Sequence, residues 1–246
     1  TPSPNKSIIA IKKIEGKTNI YRSTNLESDD PSNWEIVLSD IGPVSARYGF
    51  SRRGNVICIS NYDGAYSGGI ARFIYISRDS GATWKTIEVV KVEDMPDPSS
   101  FHIHDVEYDP FTHRIWVSNG DGTNTNLRYS DDWGETWTGI ANTDNGRFSA
   151  GQPTNIIALP DRVLFGSDSK PNGFYAWYKN LGEAKAPVTA EDIYHIYTPD
   201  SIALSTESPY NVPLVSLAPT DDQISVYPYM FATVFARSTT QGIPDR

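Results

Sequence analysis

The stretches that decide the fold are SRDSGATW, residues 77–84, and SDDWGETW, residues 130–137. Both match the pattern S-x-D-x-G-x-T-W, and their final residues, Trp84 and Trp137, stand 53 positions apart. A looser copy runs from Ser23 to Trp34 and ends 50 positions before Trp84. A period of about 50 residues indicates a chain built from repeated supersecondary units.

Each octapeptide lies where a β-hairpin would turn. Alternating apolar runs precede the octapeptides at 73–76 and 127–129, and another run follows the first at 87–90. Short Ser and Asp side chains accept hydrogen bonds from turn amides, glycine adopts positive φ, and tryptophan buries its ring beside the hairpin. We therefore predict a structural role for eight residues: Ser77, Asp79, Gly81, Trp84, Ser130, Asp132, Gly134 and Trp137.

Further strand-like runs complete units of four strands, which is the count of a propeller blade. Two runs precede each hairpin, at 46–51 and 56–60 and again at 103–108 and 114–118. A fourth unit without the octapeptide is predicted at 155–159, 162–166, 173–178 and 193–197. A fifth is predicted at 212–217, 223–227 and 231–236, and the first unit begins late, at 7–13, 18–22 and 35–38.

The sequence therefore predicts an all-β protein, a β-propeller of about five four-stranded blades that forms a single domain over residues 1–246. One interpretation is that the incomplete first and last units complement each other, because a propeller closes its ring to leave no bare strand edge. The alternative is that further sequence follows Arg246 in the parent protein. The start at Thr1 predicts that the domain is part of a longer chain.

Composition narrows the classes of partner. With 21 basic and 30 acidic residues the net charge is −9, which would repel nucleic acid. No run approaches the roughly 20 apolar residues of a membrane helix, so we expect no membrane insertion. The one cysteine, Cys58, lies in an apolar run and is expected to pack as a small hydrophobe.

The two octapeptides resemble the Asp boxes of the bacterial neuraminidase repeat, which occurs in sialidases, other glycosidases, sortilin-type receptors and phage tail proteins. In that family the box lies on the outer edge of the blades, away from the axis where ligands bind. The resemblance therefore implies that Asp79 and Asp132 are structural and says little about activity.

A second resemblance rests on residues 101–110 and 115–122. These stretches resemble receptor-binding proteins of phages of Gram-positive bacteria, whose propeller of about five blades engages cell-wall glycopolymer. The resemblance implies an extracellular or virion-surface location, and it is compatible with a homotrimeric parent protein.

The candidate ligand-binding residues follow the second strand of three units. Asp63, Asp121 and Asp168 recur there, and superposed blades would place them on one rim around the axis. Carboxylates accept hydrogen bonds from sugar hydroxyls, and aromatic faces stack on pyranose rings, for which Tyr62, Tyr66 and Tyr48 are candidates. Asp beside Gly or Ser also simply forms turns, and that alternative stays open.

His102 and His104 stand at alternate positions of a predicted strand. Imidazoles on one strand face could bind a metal ion, but we favour a lining of the channel wall for both residues, which there count among the candidate ligand-binding residues. The sequence predicts no metal ion, no cofactor and no catalytic residue.

We therefore expect a carbohydrate-binding module that recognises a cell-surface glycan or wall glycopolymer. The alternative is an exo-acting glycoside hydrolase of the sialidase type, which would need an arginine cluster and a Tyr–Glu pair. Its usual Arg-Ile-Pro or Arg-Leu-Pro tripeptide does not occur in this sequence. A third possibility is a scaffold that binds a protein or peptide.

Overall fold

The regular secondary structure of the computed structural model consists of β-strands and a few 3₁₀ turns. The residues it describes are 7–25, 27, 30–44, 49–62, 71–120, 122–140, 152–167, 173–179 and 186–197, with the backbone of 210–211, 214–216, 230–232 and 235–236. Within these ranges the other regular elements are single 3₁₀ turns, at Pro31–Asn33, Val92–Asp94, Gly122–Asn124 and Ala190–Asp192.

The strands β1 to β15 form four antiparallel sheets in which chain order is also spatial order. The first sheet contains β1 (Ile8–Ile14), β2 (Lys17–Ser23) and β3 (Glu35–Ile41). The second contains β4 (Phe50–Arg53), β5 (Val56–Ser60), β6 (Phe73–Ser77) and β7 (Lys85–Glu88). The third contains β8 (His102–Asp109), β9 (Arg114–Gly120), β10 (Asn126–Ser130) and β11 (Thr138–Ile140). The fourth contains β12 (Pro153–Ala158), β13 (Arg162–Ser167), β14 (Gly173–Tyr178) and β15 (Ile193–Tyr197).

A fifth unit is represented by four short strands. They are β16 (Tyr210–Asn211), β17 (Leu214–Ser216), β18 (Met230–Ala232) and β19 (Phe235–Ala236). β16 pairs with β19 and β17 with β18, and the two pairings continue in one antiparallel register. The strand predicted at 223–227 lies outside the described residues.

Apolar layers separate successive sheets, which therefore stack face to face. Ile20, Ile57 and Tyr75 belong to the layer between the first and second sheets. Ile74, Phe101 and Val106 belong to the next layer, and Trp116, Leu127 and Phe165 to the one between the third and fourth sheets. Because the second and third sheets are covered by apolar layers on both faces, their strands carry long apolar runs, and burial of these side chains stabilises the stack.

The first strands of successive sheets lie side by side. β4 packs against β8, β8 against β12, and β12 against β17. Meander sheets that stack face to face with their first strands in a row have the arrangement of propeller blades. The all-β prediction and its four-stranded antiparallel units are confirmed, whereas the number of blades and the closure of the ring stay predictions.

Carboxylates of β8 link the neighbouring first strands. Asp105 accepts hydrogen bonds from the backbone N–H of Gly49, before β4, at 3.2 Å and from that of Ile156, in β12, at 2.7 Å. Glu107 accepts a hydrogen bond from the N–H of Ala158, also in β12, at 3.2 Å. These acids satisfy amides at the inner edges of the sheets, where the described ladders leave them no partner strand.

Candidate functional site

The first octapeptide forms a closed hydrogen-bonded turn between β6 and β7. The Ser77 hydroxyl donates to Asp79 at 2.9 Å and accepts from the N–H of Gly81 at 2.7 Å. Asp79 also accepts from the N–H and hydroxyl of Thr83, at 2.8 and 2.6 Å. The Trp84 indole N–H donates to the Gly81 carbonyl at 3.0 Å. Burial alone would raise the pKa of Asp79, but the hydrogen bonds from Thr83 and Ser77 lower it.

The second octapeptide, between β10 and β11, repeats this network. Ser130 donates to Asp132 at 2.8 Å and accepts from Gly134 at 2.7 Å, while Thr136 donates twice to Asp132, at 2.9 and 2.6 Å. The hydrogen bonds from Thr136 lower the pKa of Asp132 to about 2. Within the described residues the buried Trp137 indole N–H has no hydrogen-bond partner, unlike that of Trp84. Both acids are therefore engaged in turns that join the outer strands of their sheets.

A different group of residues gathers at the inner strands. We call it the strand-end cluster: Tyr62, His102, His104, Gly120, Gln152 and Ser167. Tyr62 follows β5, Gly120 ends β9 and Ser167 ends β13. His102 and His104 lie at the start of β8, and Gln152 precedes β12. Three successive sheets therefore contribute to one place.

The two histidines and Tyr62 form the aromatic part of the cluster. The rings of His102 and His104 are 4.7 Å apart between centroids, and Tyr62 lies edge-on to His102 at 5.1 Å and tilted to His104 at 6.5 Å. Both histidines are buried, with 4% of each exposed. All three are candidate ligand-binding residues of the sequence, and the structure brings their side chains together. Their role in binding stays a prediction.

One polar contact of the cluster crosses from the third sheet to the fourth, since His104 Nδ1 donates to the Pro153 carbonyl at 2.9 Å. At the end of the fourth sheet, the N–H of Gln152 donates to the Ser167 hydroxyl at 2.9 Å. Gly120 packs directly against the His104 ring, because a Cβ at this position would lie 2.3 Å from His104 Cε1. The close approach of the ring therefore requires glycine at the end of β9.

The remaining predicted binding residues lie outside the described residues: Asp63, Asp121, Asp168, Tyr48 and Tyr66. In sequence each acid directly follows a member of the cluster, Tyr62, Gly120 or Ser167. The contribution of these acids to a binding site therefore stays a prediction.

Asn61 and Asn119, which precede Tyr62 and Gly120, were not singled out by sequence analysis. Asn61 donates to the Pro43 carbonyl at 3.2 Å and accepts from the Tyr75 hydroxyl at 3.1 Å. Asn119 donates to the Asn124 carbonyl and accepts from Arg128 at 3.2 Å. Both are fully buried and anchor the chain where it leaves the second strand. Their recurrence before Asp63 and Asp121 was a signal that could have revealed this role.

A β-bulge in β8 explains why the acids of that strand were also missed. The register against β9 shifts between Ile103 and Asp105, so that His104 is the extra residue. His102 and Asp105 consequently face the same side of the sheet although they are three positions apart. Burial raises the pKa of Asp105 well above its usual value, an effect that three backbone amides oppose and the charge of Glu107 reinforces.

Two features are absent from the part of the chain that the structure describes. There, no three His, Cys, Asp or Glu side chains form a group that could hold a metal ion. No helix there is long and apolar enough to cross a membrane.

No family model matches the chain, and no curated protein matches it. Solved structures with some similarity include YCF48 bound to a D1 peptide, at 15% identity over 85% of this chain and 57% of that one, with a TM-score of 0.46. The Trypanosoma rangeli sialidase in complex with sialic acid is 12% identical over 85% of this chain and 41% of that one, with a TM-score of 0.36. The Niastella koreensis GH74 enzyme is 15% identical over 68% and 37%, with a TM-score of 0.24. This chain thus spans 37% to 57% of the length of these three proteins.

Proposed function

We propose that the chain is a carbohydrate-binding Asp-box propeller of five blades, and that it binds a cell-surface glycan or wall glycopolymer at the strand-end cluster. The observation that carries the proposal is the meeting of Tyr62, His102 and His104 with residues of three sheets. An aromatic ring beside polar groups suits a sugar, which has apolar C–H faces and hydroxyl edges.

The acids predicted to bind add the acceptors that a sugar needs. Asp63, Asp121 and Asp168 follow cluster residues in sequence, and a carboxylate accepts strong hydrogen bonds from hydroxyl groups. The octapeptide acids do not serve this role in the proposal, because Asp79 and Asp132 are occupied by their own turns.

The proposal also covers the location of the protein and the oligomeric state of its parent chain. A module that recognises a surface glycan acts outside the cell or on a virion, and the receptor-binding proteins that the sequence resembles suggest a homotrimeric parent chain. A sialidase-type hydrolase is the competing function. Among the described acids near the cluster, Asp105 is engaged by backbone amides rather than presented to a substrate.

Binding to a glycan array and to purified cell walls tests this function. Tyr62→Ala, Asp63→Ala and Asp121→Ala should each weaken binding at least tenfold, since each removes a stacking face or an acceptor. Matched controls are Tyr194→Ala, which removes an exposed tyrosine of β15, and Asp40→Ala, which removes an exposed acid. Equal losses in the controls, or no binding by the unaltered chain, would contradict the proposal. Release of sugar from a fluorogenic sialoside would favour the hydrolase.

A further inference from the structure

Backbone carbonyls fix the orientation and tautomer of both cluster histidines. Nδ1 of His102 lies 2.9 Å from the Ser100 carbonyl, and Nδ1 of His104 lies 2.9 Å from the Pro153 carbonyl. A carbonyl oxygen only accepts, so each Nδ1 carries a proton and donates it. In a neutral imidazole the other nitrogen, Nε2, then carries a lone pair.

The two Nε2 atoms face each other at 2.9 Å. Two lone pairs do not approach this closely without a positive centre between them, which is either a proton or a metal ion. A straight N–H···N bond would place the ring centroids about 5.2 Å apart, whereas they are 4.7 Å apart. The rings are therefore bent away from the geometry that a shared proton prefers.

A metal ion accounts for both distances. At a metal–nitrogen bond of about 2.05 Å, two ligands at 90° are about 2.9 Å apart and their ring centroids about 4.5 Å apart. A tetrahedral ion would require about 3.3 Å and 5.2 Å for the same separations. Ions with 90° angles between imidazoles are square-planar or octahedral, as Cu²⁺ and Ni²⁺ are.

We propose that His102 and His104 form a binding site for a divalent transition-metal ion of the Cu²⁺ or Ni²⁺ type. Histidines that bind metals usually donate their other ring N–H to a carbonyl or carboxylate, and both histidines do so. Two protein ligands leave the other coordination positions to water or to oxygen atoms of a bound molecule. The geometry thus reverses the preference of the sequence analysis, which favoured a simple channel lining.

Copper titration of the metal-free full chain tests the site. We expect one equivalent of Cu²⁺ to bind, with an electron paramagnetic resonance spectrum split by two equivalent imidazole nitrogens. His102→Ala and His104→Ala should each lower the affinity at least a hundredfold, with circular dichroism confirming that the variants fold. Ni²⁺ should compete with Cu²⁺ for the site, and Zn²⁺ should compete less well.

The chain offers a control that leaves the site intact. It contains four histidines, so the double variant His113→Ala/His195→Ala removes every other imidazole. This variant should keep the copper spectrum and stoichiometry unchanged, which assigns the ligands even if the site variants do not fold. Absence of stoichiometric binding, a spectrum without two nitrogens, or loss of binding in the double variant would overturn the proposal. None of these outcomes depends on glycan binding.

Discussion

Asp132 shows how a single charged residue holds a turn. Its carboxylate accepts from the N–H and hydroxyl of Thr136 and from the hydroxyl of Ser130. These donors favour the charged form and lower its pKa to about 2, from 3.8. Stability from such a group is present above the unfolded pKa and is lost as the pH falls through the folded pKa.

Asp132→Asn should therefore lower stability in a pH-dependent way. At pH 7 we expect a loss of about 1 kcal/mol, the net value of a turn hydrogen bond. The difference from the unaltered chain should shrink between about pH 4 and pH 2, where Asp132 itself becomes protonated. Urea unfolding of both proteins at several pH values measures this difference in the free energy of unfolding. A difference that stays constant down to pH 2 would contradict the assigned pKa.

Lys179 forms a buried ion pair that tests the cost of an unpaired charge. Its ammonium group lies 2.8 Å from Asp109, and both side chains are almost fully buried. Burial lowers the pKa of Lys179, although Asp109 opposes the effect. Lys179→Met leaves the Asp109 charge uncompensated and should cost about 3–5 kcal/mol in the free energy of unfolding.

An exposed pair supplies the control for that substitution. Lys17 and Asp40 are 3.7 Å apart and about two-thirds exposed, so Lys17→Met should cost no more than about 1 kcal/mol. Chemical denaturation of both variants measures the contrast. Similar costs at the two positions would show that burial does not set the value of the Lys179 pair.

At the scale of the element, the octapeptide hairpins were predictable and the bulged strand was not. The turn depends on residues within eight positions of one another, so its spacing is visible in the sequence. The partners of Asp105 lie 51 and 56 positions away, in β12 and directly before β4. The bulge at His104 depends on the pairing of β8 with β9, which no local pattern records.

Gly134, in the turn of the second octapeptide, can be compared with Gly16 to separate the cost of backbone strain from the cost of crowding. Gly134 has a φ of +84°, and a Cβ there would lie 2.8 Å from two carbons of Ile87. Gly16 has nearly the same φ, +83°, with nothing within 4 Å of its added Cβ. In both alanine variants the free energy of unfolding should fall by about 1–2 kcal/mol, because alanine is strained in the left-handed conformation.

Gly134→Ala should lose about 1–3 kcal/mol more than Gly16→Ala, because only there does the methyl group crowd the preceding sheet. The difference between their urea midpoints at equal slope gives this packing contribution. Equal losses would mean that the turn does not press against β7.

For the whole molecule, the question is what joins the sheets. Apolar layers provide most of the contact, but they are not directional and do not fix how one sheet stands on the next. The carboxylates of β8 add specific links. Composition and repeats predicted the stack of sheets, whereas these links could not be predicted, because they exist only after three sheets have come together.

Asp105→Ala should loosen these links and destabilise the entire stack. The substitution leaves the amides of Gly49, Val106 and Ile156 without their acceptor, at about 1–3 kcal/mol for each buried group. Removal of the desolvated carboxyl group offsets part of this loss, so we expect a net cost of about 3 kcal/mol. In hydrogen exchange, the amides of Gly49 and Ile156 should lose protection. The amide of Ala158, which donates a hydrogen bond to Glu107, should stay protected longer.

The exposed acid Glu93 supplies the control, and Glu93→Ala should leave both stability and exchange nearly unchanged. If Asp105→Ala left the Gly49 and Ile156 amides protected, the carboxylate would not be what joins the second, third and fourth sheets. If it exposed all three amides equally, the links of Asp105 and Glu107 would form one cooperative unit. The expected separate responses would instead show that each acid of β8 holds its own contacts with the same two neighbours, Asp105 at Gly49 and Ile156 and Glu107 at Ser51 and Ala158. The order of acids along one bulged strand would then set the register of its neighbours.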